Sequence, residues 1–85
     1  MAANVYMKSF GLSPSWVKLA SESLVMDATI VASSLNPSSI NLRWNGGASA
    51  QWPPGTTVML KGVDLSLIEA KGEFGQELLV VSYTR

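Results

Sequence analysis

The chain is cut into short pieces by its own turn formers. GLSP stands at 11–14, NPSS at 36–39, NGG at 45–47, PPG at 53–55 and GEFG at 72–75. Proline has no N–H to give to a helix or sheet ladder, and glycine and asparagine tolerate the backbone angles of tight turns. Each cluster therefore stops the regular element before it. The runs between are short and rich in Val, Ile, Leu and Thr. Such spacing predicts an all-β fold, a small antiparallel β-sandwich or jelly-roll-like barrel.

Alternation within the runs supports strands. In SINLRWN, Ile40, Leu42 and Trp44 share one face while Asn41, Arg43 and Asn45 take the other. In TTVMLKGV, Val58 and Leu60 oppose Thr57, Met59 and Lys61; in LVMDATIVAS, Leu24, Met26, Ala28 and Ile30 oppose Asp27 and Thr29. ELLVVSYTR is apolar on both faces at first, which predicts a central strand. SPSWVKLASES admits two readings. Ser13 could cap a helix with Pro14 at its first position, but a strand with Val17 and Leu19 inward is preferred. The expected layout is an N-terminal arm over 1–13, whose residues 4–10 pair with a neighbour, and a single β-sandwich domain over 14–85.

QWPPGTT reads as a corner. Two successive prolines end a strand, Pro54-Gly55 suits the middle of a type II turn, and Trp52 is left at the rim.

A chain of 85 residues buries only roughly 60–65% of its unfolded surface. With no cysteine there is no disulfide to reinforce so thin a core. That leaves a compact, well-packed monomer or an oligomer whose subunits share burial, and a composition 47% hydrophobic and 14% charged favours the oligomer. Six basic and six acidic residues cancel and lie scattered. They leave no footprint for nucleic acid or an anionic membrane. MAANVYMKSF has no charged leader before an apolar stretch, and no run reaches membrane-spanning length, so a soluble protein is expected.

The residues offer little for catalysis. Histidine is absent, so the serines lack the usual base, and thiolate or imidazole metal ligands are missing. Glu22, Asp27, Asp64, Glu69, Glu73 and Glu77 read as solvated surface, and the last four lack EF-hand spacing. GEFGQE reads as a hairpin loop, not a phosphate cradle, because no helix or lysine follows it. No catalytic, cofactor or metal residue is expected. Of the tryptophans, Trp16 and Trp44 read as core. Trp52, in its turn, either contacts a partner or plugs the end of the sandwich. Tyr6 and Phe10 are expected to dock on a body or a neighbour.

The series NLRWNGG, then WPPGTTVMLKGVDLSLIEAKG, then QELLVVSYTR resembles small β-rich proteins encoded among the virion structural genes of tailed bacteriophages. The matching residues are Asn36, Pro37, Gly46, Gly47, Pro54, Gly55, Leu60, Asp64-Leu65-Ser66, Ile68, Gly72 and 79–81. They cover a little over half of the chain. The resemblance implies a capsid decoration (cement) protein or a fibre module, commonly trimeric and without enzymatic activity, bound to the major capsid protein at the virion surface. Unlike lambda-like decoration proteins, this chain does not begin with a Pro- and Thr-rich arm. The expected interface is Tyr6, Phe10, Trp52, Pro53 and Pro54. The alternative is a carbohydrate- or receptor-binding module of a tail or baseplate, with Trp52 stacking on a sugar and Asn45 or Gln51 as polar partners.

Overall fold

The computed structural model describes residues 4–84. Eight strands form: β1 (Asn4–Gly11), β2 (Val17–Lys18), β3 (Val25–Ala32), β4 (Ile40–Trp44), β5 (Ser49–Trp52), β6 (Thr57–Asp64), β7 (Ile68–Lys71) and β8 (Glu77–Thr84). They make two antiparallel four-stranded sheets, sheet A in the order β1-β8-β3-β6 and sheet B in the order β2-β7-β4-β5. The all-β sandwich expected from the turn spacing is the architecture found.

The order has a simple origin. β4 pairs with β5, β3 with β6, β2 with β7 and β1 with β8. The chain is thus one long hairpin folded back at the Asn45-Gly46-Gly47 turn. Every connection except that turn crosses between sheets. Rolling the ribbon into two layers adds the β8–β3 and β7–β4 ladders and gives a jelly roll.

The inner faces meet in a core built on Leu19, Ile30, Ile40, Leu65, Leu78 and Val80, all essentially without solvent exposure. Alternation puts them there: in β3 the buried residues are Met26, Ala28, Ile30 and Ala32, the face expected from the sequence. β8 is a central strand, also as expected.

Residues 4–11, expected as an arm reaching for a neighbour, are instead an edge strand of the same chain's sheet. Val5, Tyr6 and Met7 stand opposite Tyr83, Ser82 and Val81. Phe10 is buried, because a ring on the inner face of β1 has the whole core beside it. Residues 17–18 form a strand, not a helix. Trp16 is not core: with Val17 inward it faces out. Its ring lies under Arg43, with Cζ 4.1 Å from the ring centroid, and Lys71, with Nζ at 4.8 Å. Trp44 is 49% exposed, because β4 runs past the end of the core at its last residue. The 72–76 segment is not a hairpin loop but an arch from β7 in one sheet to β8 in the other.

Two polar devices shape sheet A and its exit. Opposite Asp27, β6 carries two residues, Lys61 and Gly62, and Gly62 adopts φ 61°. This bulge is tied by the Asp27 carboxylate, which accepts the Gly62 N–H at 2.9 Å. At the crossing from β6 to β7, Asp64 caps a single 3-10 turn, Leu65–Leu67.

Candidate functional site

One end of the sandwich gathers the loops 33–39, 53–56 and 72–76. Local chemistry starts each of them. Pro53, Pro54 and Gly55 close the β5–β6 corner, with the Thr56 N–H donating to the Pro53 carbonyl at 3.1 Å and Gly55 at φ 82°. That is the geometry of a type II turn, as Pro54-Gly55 predicts.

The three loops are fixed to one another. Gly55 donates its N–H to the Ala32 carbonyl at 2.9 Å, which lays the corner against the start of the 33–39 loop. Asn36, buried in that loop, bonds the main chain of Glu77. Gln76, 1% exposed, ties the arch to the same loop, its Nε2 donating to the carbonyl of Ser38 at 3.0 Å and to its hydroxyl at 2.9 Å. Its Oε1 accepts the Glu73 N–H at 2.7 Å, and its own carbonyl accepts the Leu12 N–H at 2.8 Å. Buried amides with their donors and acceptors engaged hold a loop in one geometry.

On this fixed base stand two apolar side chains in water. Leu35 is 90% exposed and Phe74 is 82% exposed, and the exposed Pro53 and Pro54 lie at the same end. Sequence reasoning singled out the prolines and missed Leu35 and Phe74. Both sit inside turn clusters, where a lone apolar residue was the available signal.

A second apolar surface lies along the side where the edge strands β5 and β6 face each other. A cavity of about 250 Å³ is walled by Trp44, Trp52, Leu42 and Leu60. It exists because Ala48 and Ala50 are too small to close the gap. Arg43 also lines it, but its Nε is bonded to the Glu69 carboxylate at 3.0 Å.

The sequence-predicted residues divide accordingly. Pro53 and Pro54 belong to the loop end, and Trp52 is half-buried against the core on the cavity wall. Tyr6 is half-buried, its hydroxyl donating to the Leu19 carbonyl at 3.0 Å. Phe10, in the core, offers no surface. The sugar-binding set is not assembled: Gln51 stands opposite Asn41 on the outer face of sheet B, while Trp52 stands opposite the buried Ile40 on the inner face. Asn45, at φ 49°, stands in the β4–β5 turn at the other end of β5 from Trp52, its main-chain N–H donating to the Leu67 carbonyl at 2.7 Å.

Three carboxylates are not simple solvated surface: Glu69 pairs with Arg43, Asp27 ties the Gly62 bulge, and Asp64 gathers the most donors. The Ser23 hydroxyl at 2.7 Å, the Ser66 hydroxyl at 2.7 Å and the Leu24 N–H at 3.1 Å all donate to it, and they hold its pKa well below the ordinary carboxylate range. Among the described residues no group of three or more His, Cys, Asp or Glu is placed to hold a metal ion. Comparison with protein-family models, with curated proteins and with solved structures found no match.

Proposed function

We propose that the protein is a non-enzymatic structural protein of a tailed-phage virion, a decoration subunit that attaches to the major capsid protein and strengthens the shell. The observation that carries the reading is the loop end: Leu35 and Phe74 fully offered to water on loops that buried Asn36 and Gln76 hold rigid. Apolar side chains on flexible loops cost both loop and rotamer order when they bind, whereas those on a fixed backbone lose rotamer freedom alone. Such a tip suits a shallow apolar depression on a large protein surface. The jelly-roll architecture, which recurs in viral capsid and lectin domains, and the sequence resemblance support the same reading by analogy.

The test is co-sedimentation with shells assembled from the major capsid protein of the same genome. Wild type pellets with the shells, and Leu35→Ser with Phe74→Ser weakens binding at least about tenfold while far-UV circular dichroism stays unchanged. No pelleting by wild type overturns the function. Undiminished pelleting of the double variant overturns the loop end as attachment point.

A further inference from the structure

The two outer faces of the sandwich differ in kind. Sheet B turns Lys18, Asn41, Arg43, Glu69 and Lys71 outward, with Trp16 covered by two of those cations. Sheet A does the opposite. Met7, Val81, Thr29 and Met59 stand in register across all four of its strands, and Ser9, Leu79, Val31 and Thr57 form the next row. Val5 is 61% exposed, Met7 70%, Met59 66% and Leu79 40%. Charged side chains on this face stand only at its ends, Glu77 at one and Asp27, Lys61 and Asp64 at the other.

The sheet edges, by contrast, are guarded. β1 carries Lys8 on the same side as the buried Phe10, its Nζ 4.9 Å from that ring. β6 carries Lys61 beside the Gly62 bulge, β2 has two residues, and β5 has four and runs into Pro53. Charge, bulge, shortness and proline are the devices that keep a strand from pairing with another chain. Edge-to-edge association is blocked while the face is left open.

We infer that the outer face of sheet A packs on the same face of a second copy, forming a two-fold dimer through a sheet-on-sheet contact. The size fits. Four strands about 4.8 Å apart and eight residues long at about 3.3 Å each present roughly 500 Å² per copy. Two copies then bury at most about 1,000 Å², the lower bound for a specific interface. The chemistry fits too. A two-fold contact requires a patch complementary to itself, which a face whose middle rows carry no charge satisfies and a charged partner would not select. Methionines on β1 and β6 supply adaptable side chains where the two twisted sheets, crossed at about 30°, diverge. This goes beyond capsid attachment and leaves the loop end free for it.

Sedimentation equilibrium on the purified chain tests it. Wild type is expected at the mass of two chains. Met7→Glu and Met59→Glu, each at a solvent-exposed position, raise the dissociation constant about 100-fold or more by burying unpaired like charges. Asn41→Glu on the outer face of sheet B leaves the dimer intact. The inference is overturned by a wild-type mass of one chain up to about 100 µM, above the micromolar constants usual for small interfaces. A mass of three chains, or a dimer that survives both methionine variants, overturns it equally. A wild-type monomer that still pellets with capsid shells removes the dimer and leaves attachment standing. A dimer that ignores the shells keeps the inference and removes the attachment.

Discussion

The side-chain amide of Asn36 bonds both main-chain groups of Glu77, donating from Nδ2 to the carbonyl at 3.0 Å and accepting the N–H at Oδ1 at 2.8 Å. A side chain here does what a neighbouring strand would do, and it does so in a buried position. Asn36→Ala leaves the Glu77 N–H without its partner and its carbonyl with the Ser33 N–H alone, at 3.2 Å, at a cost of about 1–2 kcal/mol. Urea unfolding should show that loss, and Asn36→Asp, which keeps the acceptor but has no donor, should be no better.

Gly72 lacks a side chain because Gln76 occupies the space. A Cβ there would collide with the Gln76 Oε1 and come within 3.3 Å of the Ile40 Cγ2. Gly72→Ala is expected to cost about 2 kcal/mol by pushing the buried amide off Ser38 and Glu73. Gln76→Ala costs a similar amount. The two together should cost less than their sum by about 1 kcal/mol, since the clash disappears with the glutamine. A strictly additive cycle would show that the strain lies elsewhere.

Asp64 makes stability depend on acid. Its folded-state pKa lies below the ordinary value of 3.8, so the unfolded chain takes up the proton first as the pH falls. The stabilisation is therefore complete above about pH 5 and drains away as the pH drops from about 4 through the lower folded-state value. Denaturation midpoints measured from about pH 6 to about pH 2 should fall across that window. In Asp64→Asn the curve should be flatter there, and lower at neutral pH.

The two cavity tryptophans should behave differently. Trp44 is half in water, so Trp44→Ala should change stability by less than about 1 kcal/mol; Trp52 packs on the core, and its loss should cost about 2 kcal/mol. Chemical denaturation of the two variants, followed by circular dichroism, checks this directly. Equal losses would mean that Trp44 is covered in solution.

How much of this was legible in the sequence follows from what alternation encodes. A period of two placed Met26, Ala28, Ile30, Ile40 and Leu42 inside, because the opposite sheet covers each of them. It misplaced Trp44, since nothing local says where the facing sheet ends. Trp16 finds its cover in Arg43 and Lys71, which only the β2–β7–β4 pairing brings near. The residues 4–11 alternate Tyr6 and Phe10 against Val5 and Met7, but the partner that makes them a strand is at the far end of the chain. Asn36 and Gln76 looked like ordinary turn residues for the same reason. Their bonding partners lie about forty positions away in sequence. The apolar outer side of β8 was visible as a pattern, and a pattern does not say what covers it.

The long hairpin that rolls into this jelly roll also sets an order of events. The β4–β5 pair closes across the few residues of its turn, while Asn4 must find Thr84. Closure entropy grows with the chain enclosed, so the ribbon gains its ladders from the turn outward, like a zip drawn from its closed end. Substitutions in β4 should therefore slow refolding, and those in β1 should mainly quicken unfolding. β1, which in sheet A touches only β8, waits longest. On the ribosome its Val5 and Met7 stay unpaired until residues 77–84 have been made, a period in which the earliest made of these eight strands is the last one sheltered.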